Sequence, residues 1–246
     1  MTIKERLSYY NKLIRRKEVW ACCQVKRKCV WLGNKNAGFY VVPELLSSLS
    51  IVYSFGVGED ISFDEELIKR FGCSVFAFDP TPKSIDFIRS KGVITNFTFY
   101  PVGISNYDGF TDFFLPANPN HVSCTVFRTN SNAAEQQKIS VPVKRFSTIA
   151  NELKHGAIDL LKMDIEGSEY DVIDDILSSG VKIKMLAVEL HHRFEQTGIN
   201  KTKNLLAKLN KHGYKIAAIS GTREEYTFVQ LKEEEVVSSQ TPRNDN

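Results

Sequence analysis

Ile51-Val52-Tyr53-Ser54-Phe55-Gly56-Val57-Gly58 is a short apolar run, rich in β-branched and aromatic residues, that stops at two closely spaced glycines. A run of this length closed by turn residues reads as a strand buried on both faces, the kind a parallel sheet uses. The residues after it repeat the pattern. Phe63 to Phe71, with Leu67 and Ile68, reads as a helix, Ser74 to Phe78 as a second buried strand closed by Asp79-Pro80, and Lys83 to Ser90 as a second helix. Strand, helix, strand, helix at this rhythm predicts parallel βαβ units.

Working outward, Phe97 to Val102 is the third expected strand, Ile158 to Met163 the fourth and Ile183 to Leu190 the fifth, with helices over 168–177 and 202–212. Tyr214 to Ile219 and Tyr226 to Leu231 read as an antiparallel pair at the sheet edge. Between the third and fourth strands, about 104–145 is an irregular insertion with candidate strands at 109–115, 122–127 and 139–143. Upstream, Leu7, Tyr10, Leu13 and Ile14 recur at helical spacing and predict a helix over 3–17. The apolar runs at 20–25, 29–32 and 39–42 predict short strands. The expected layout is a helix-and-hairpin extension over 1–48, an α/β domain over 49–232 and a polar, disordered tail over 233–246.

With 42% hydrophobic and 25% charged residues, the composition excludes disorder as the main state. No window approaches the roughly 18 to 20 apolar residues that cross a bilayer, and the opening lacks the apolar stretch of a secretory signal. A soluble, cytoplasmic protein with no membrane partner is the expectation. Five cysteines without CxxC spacing argue against a disulfide framework or a zinc site. The net charge of +3 hides an asymmetry, because residues 1–35 carry ten Lys or Arg against Glu5 and Glu18. A solvated helix and hairpin accounts for that basic lead, and no nucleic-acid partner is expected.

Open α/β sheets bind nucleotides at the carboxyl ends of their strands, where glycines let a turn approach the ligand and an acid on the next strand takes ribose hydroxyls. Gly56 and Gly58 follow the first strand, and Asp79 ends the second, close to the expected spacing of about 20 residues. The third glycine of a dinucleotide fingerprint would fall at Ile61, so an NAD-dependent oxidoreductase is disfavoured. S-adenosyl-L-methionine has the ribose and adenine but no pyrophosphate, and it is the cofactor these residues suit.

Three ordered stretches carry a family resemblance: Val52 to Gly58, Val75 to Pro80, and Ile158 to Glu169, the last with the pattern Lys162-x-Asp164-x-Glu166-Gly167-x-Glu169. Together with Leu186 to His191, these resemble the motifs of FkbM-type methyltransferases over roughly residues 50–230. The resemblance implies a Rossmann-like class I methyltransferase fold and transfer to a hydroxyl of a small-molecule or glycan acceptor. It also implies a cofactor-binding set of Gly56, Gly58, Glu59, Asp79, Pro80, Gly103 and Asp164. Two departures stand out. Ser54 replaces the acid usual in the first motif, leaving Glu59 or Asp60 to contact the methionine amine, and Arg145-Phe146-Ser147-Thr148 replaces the usual Leu-Asp. These departures raise a noncatalytic adenosyl-binding or scaffold protein as the alternative.

Methyl transfer to an alcohol is an in-line displacement that also needs a proton removed, so the site must offer a base or a metal. Asp164 and Glu166 follow the fourth strand, and Glu189 and His191 alternate onto one side at the end of the fifth. Asp164, Glu166 and His191 are the catalytic candidates. A divalent cation, Mg²⁺ or Mn²⁺, on Asp164, Glu189 and His191 is the second route, with base catalysis the expected one. Ser168 and Asp171 have capping-box spacing, which would assign Glu166 and Glu169 to the helix N-terminus. His121, His155 and His212 read as structural.

Overall fold

The computed structural model describes residues 3–15, 17–114, 137–194 and 196–231. Helix α1 (Ile3–Ile14) and a hairpin, β1 (Val30–Leu32) with β2 (Phe39–Val41), precede the alternating region. That region runs β3 (Ile51–Phe55), α2 (Ser62–Phe71), β4 (Ser74–Phe78), α3 (Pro82–Lys91) and β5 (Phe97–Tyr100). A small three-stranded sheet follows, built from β6 (Gly103–Ser105), β7 (Gly109–Phe114) and β8 (Lys138–Arg145). The chain then continues through α4 (Phe146–Glu152), β9 (Ala157–Met163), α5 (Glu169–Ser178), β10 (Lys182–Glu189), α6 (Gly198–Lys211), β11 (Tyr214–Ile219) and β12 (Glu225–Gln230).

The seven-stranded sheet has the order β11-β12-β10-β9-β3-β4-β5. Its strands pair in parallel from β5 through β10, and β12 runs antiparallel to both β10 and β11. This is the Rossmann-like class I methyltransferase arrangement that the sequence predicts. From β3 the chain builds outward through β4 to β5, then returns to lay β9 on the other side of β3. The strand order therefore reverses between β3 and β9, and a crevice forms beyond their carboxyl ends.

Alternation along β3 sets the layers. Tyr53 and Phe55 face a core shared with Phe146, Ile173, Leu186 and Leu205, whereas Val52 faces one shared with Phe39, Val41, Leu67 and Met185. Helices α4, α5 and α6 cover the first face, and the hairpin with α2 covers the second. Each large side chain buried this way contributes roughly 1.5–3 kcal/mol. Local chemistry sets the helix ends. Asp64 and Glu65 occupy the first turn of α2, Lys69 and Arg70 its last, and Gly72 closes it in the left-handed conformation. Pro82 opens α3, where its missing N–H costs nothing.

Several expectations need correction. Residues 20–25 form no strand; instead Gln24 and Val25 donate to Ile216 O, and Gln24 Oε1 accepts from Ile216 N, so the segment runs beside β11. The strand expected over 97–102 stops at Tyr100 because Pro101 cannot extend the ladder. Helix α4 was not foreseen. The candidate strand at 122–127 and the tail at 233–246 lie outside the described residues. No helix among the described residues is long and apolar enough to cross a membrane, and Cys22, Cys23, Cys29 and Cys73 are free thiols.

Candidate functional site

The turn after β3 lies against the loop after β9. Gly56 has φ 82°, and a Cβ there would sit 1.7 Å from the Asp164 carbonyl oxygen, so only glycine permits this approach. Gly58 is also left-handed, at φ 58°. Asp79 stitches the turn to β4: its Oδ2 accepts from Val57 N at 2.9 Å and Gly58 N at 3.0 Å, while its Oδ1 accepts from Thr81 N at 2.9 Å and Thr81 Oγ1 at 2.6 Å. Both carboxylate oxygens of Asp79 are thus engaged by the chain itself. Gly103 packs on Pro80, where a Cβ would lie 3.1 Å from Pro80 Cγ.

These residues wall a cleft of about 380 Å³ that Glu59, Pro80, Gly103, Asp164 and Glu166 also line. Its floor is a polar group that the sequence reading did not single out. Lys162, buried on β9 opposite Ser54, donates to Phe55 O at 3.4 Å and to Gly56 O, pinning the glycine turn from below. Asp64 reaches the same floor from α2. Burial pushes its carboxyl up to about 6, against the pull of the Lys162 charge. Buried Ser54 sits beside the Asp64 carboxyl and works against the effect of burial on it. Ile61, at the N-terminus of α2, is buried. A second cavity, of about 640 Å³, opens between Leu45, Ile183 and Tyr214, with no carboxylate in its lining.

At the carboxyl ends of β9 and β10 the acidic candidates converge on His191. Its Nε2 lies 3.4 Å from Glu166 Oε2 and 3.9 Å from both Asp164 Oδ1 and Glu189 Oε1. Its Nδ1 lies 2.9 Å from Oε1 of Glu169, a fully buried residue. The same oxygen accepts from Ile165 N and Gly167 N, each at 3.1 Å. Glu169 therefore orients the imidazole, a role hidden in sequence by its position at the start of a helix. Ser168 makes no side-chain cap on α5, and no capping box forms. Glu166 sits at φ 53°, a strained conformation for a non-glycine residue, which aims its carboxylate back toward His191. Burial alone would depress the His191 pKa, but the Glu169 hydrogen bond and the surrounding carboxylates raise it well above the usual histidine range. Burial and the neighbouring Asp164 raise Glu189 in turn.

The loop carrying His191 is braced from outside the sheet. Glu18 Oε1 lies 2.6 Å from His192 Nε2, and Glu18 Oε2 accepts from Arg193 at 2.9 Å. Arg193 also bridges to Glu224 at 2.7 Å. Arg145, one of the two departures noted above, pairs with buried Asp175 on α5 through Nε at 2.8 Å and through Nη2. Of the other histidines, His155 Nδ1 meets Tyr53 OH at 2.9 Å and His212 Nδ1 meets a backbone carbonyl; His121 lies outside the described residues.

Comparison with known proteins bears on this arrangement. "Probable methyltransferase-like protein 24" of Rattus norvegicus is 24% identical over 163 residues, covering 65% of this chain and 38% of that protein. Its Homo sapiens counterpart is 26% identical over 155 residues, covering 62% and 36%. The chain thus spans little more than a third of the length of these relatives. Among solved structures, an rRNA methylase from Streptococcus thermophilus aligns with a TM-score of 0.43 at 11% identity, covering 77% of this chain and 91% of that one. Fibrillarin of Methanococcus jannaschii, a pre-rRNA processing protein, gives 0.45 at 9% identity, covering 75% and 67%. Those two likenesses are too weak to add to the assignment. The profile of the family described as "Methyltransferase FkbM domain" matches residues 16–216, which takes in every strand from β1 to β10 and all the motifs above. This chain belongs to the FkbM methyltransferase-domain family.

Proposed function

We propose that the chain is an S-adenosyl-L-methionine-dependent methyltransferase that acts on a hydroxyl group of a sugar or a natural-product-like small molecule. One observation carries the reading. The glycine turn after β3 and the acidic loop after β9 wall one cleft at the point where the strand order reverses, and the loop after β10 brings His191 to that same acidic loop. In this reading the Gly56–Gly58 turn receives the adenosyl group, and Asp79 shapes the turn while marking the ribose subsite. Glu59 and Asp164 lie along the rest of the cofactor. Buried Ile61 leaves no third glycine for a pyrophosphate, which weighs against a dinucleotide.

The reaction joins the acceptor oxygen to the sulfonium methyl as the sulfur–carbon bond breaks, releasing S-adenosylhomocysteine. The hydroxyl proton passes to a carboxylate of the pair Asp164 and Glu166 beside His191, and fixed geometry supplies much of the acceleration. Calorimetric titration with S-adenosylhomocysteine tests the cofactor. Binding is expected for the wild type and is lost in Asp79→Ala, whose Val57, Gly58 and Thr81 donors are left without an acceptor. No heat and no thermal shift with either cofactor form would overturn the reading. Binding without turnover over a broad panel of hydroxyl acceptors would instead support a noncatalytic adenosyl-binding protein, the alternative raised by Ser54 and the stretch around Ser147.

A further inference from the structure

We propose that Asp164, Glu166, Glu189 and Nε2 of His191 bind a divalent cation, with Glu169 holding the imidazole in place. Base catalysis was the sequence expectation here; the assembled geometry points to a metal. Three carboxylate oxygens surround Nε2 at 3.4, 3.9 and 3.9 Å, a spacing longer than a good hydrogen bond. Ligands about 2.1 Å from a shared ion stand about 3.0 Å apart when adjacent and about 4.2 Å when opposite. All three distances fall inside that interval. The most compact group is Asp164, Glu169 and His191, with one ligand atom of each within 4.8 Å of the other two, so Glu169 borders the cluster while Glu166 and Glu189 approach it through Nε2 of His191.

Two features outside the acidic cluster's own spacing support the assignment. A metal-bound histidine usually donates its other ring nitrogen to a carboxylate, and Nδ1 of His191 meets Glu169 Oε1 at 2.9 Å, which leaves Nε2 turned toward the other acids. The second oxygen of Glu169 is fully buried and has no hydrogen-bond partner among the described residues. A buried carboxylate oxygen without a donor is costly, and a cation in the cluster compensates it. One imidazole among several carboxylates suits Mn²⁺ better than Mg²⁺, because nitrogen is a softer donor than oxygen. If the proposed methyl transfer is correct, and this part of the inference rests on that reading, the ion would hold the acceptor oxygen and lower the pKa of its hydroxyl.

Cation binding is measured without cofactor or acceptor, so its outcome is separate from that of the methyltransferase reading. The full chain is stripped with chelator, dialysed and titrated with MnCl₂, following loss of the free-ion electron paramagnetic resonance signal. One site is expected. His191→Ala and Glu189→Gln should each lose at least about tenfold in Mn²⁺ affinity, and Glu169→Gln about 10- to 100-fold through the misplaced imidazole. Circular dichroism shows which variants fold, and Glu189→Gln, the mildest change, keeps the test open if the others do not. Failure of the wild type to bind Mn²⁺, or unchanged affinity in folded Glu189→Gln and His191→Ala, would overturn the proposal even if S-adenosylhomocysteine binds. Mn²⁺ binding that depends on these residues, with no S-adenosylhomocysteine binding, would uphold the cation site and remove the methyltransferase reading.

Discussion

Gly56 and His191 show what single residues decide. At Gly56 the backbone is left-handed and a Cβ would strike the Asp164 carbonyl, whereas at Gly72, left-handed at φ 70° and ψ 13°, the added atom would lie at an ordinary 3.5 Å from Ser48 Cβ. Gly56→Ala is therefore expected to cost about 3 kcal/mol or more and to abolish S-adenosylhomocysteine binding, while Gly72→Ala costs only about 1 kcal/mol of conformational strain. Denaturant melts of the two variants side by side check this, and equal losses would show that the close approach is unimportant. For His191→Ala, turnover should fall by roughly 10² to 10⁴ with cofactor affinity nearly intact. Asp164→Asn should also be strongly impaired. If both variants retain activity within about threefold of wild type, the chemistry lies in other loops. The glycines and the acidic candidates were legible in the sequence because turn chemistry and strand-end position are local properties. In the sequence Lys162 is only a motif letter, and Glu169 reads as an acid at a helix N-terminus. What they touch depends on which strand lies next to which.

Among the elements, the segment after α1 is bound into the loop after β10 rather than merely preceding the domain. Burial by itself would raise the Glu18 pKa, but the contacts with His192 and Arg193 hold it down at about 2, against an ordinary 4.5. A carboxylate depressed on folding stabilises the chain above its unfolded pKa and loses that contribution as pH falls through the folded one. The Glu18 contribution should be full above about pH 5, amount to about 3 kcal/mol, and be mostly lost by about pH 2. Denaturant melts of wild type and Glu18→Gln at pH 7 and pH 2.5 test this, with a large difference expected at the first and little at the second. A difference independent of pH would refute an ionic role. The corner between β8 and α4 is tied to α5 by Asp175, which takes Arg145 Nε, Arg145 Nη2 and Phe146 N at once. Asp175→Ala should cost about 2–4 kcal/mol, since it leaves a buried amide and part of a guanidinium unpaired. A loss below about 0.5 kcal/mol on denaturant titration would show that water replaces the carboxylate.

For the whole molecule, the excess of positive charge is confined to the first 35 residues, and the remainder is net acidic. Sequence-independent binding to nucleic acid depends on many cations releasing counterions from phosphates, and affinity then falls steeply with salt. No submicromolar binding of RNA or DNA is expected at near-physiological salt, and fluorescence anisotropy across a salt series checks it. By itself the sequence determined the kinds of elements, the βαβ rhythm, the glycine turn, the Asp79 spacing and the family, because hydrophobic period and turn chemistry act over a few residues. Only the tertiary structure decided which side chains meet. The return of β9 beside β3 places Lys162 under Gly56, more than 100 positions earlier in the chain. Packing of the N-terminal segment places Glu18 against His192, and the neighbouring ends of β9 and β10 gather three carboxylates around one imidazole. These contacts follow from strand order and burial across the whole sheet, and no local window of residues contains both partners.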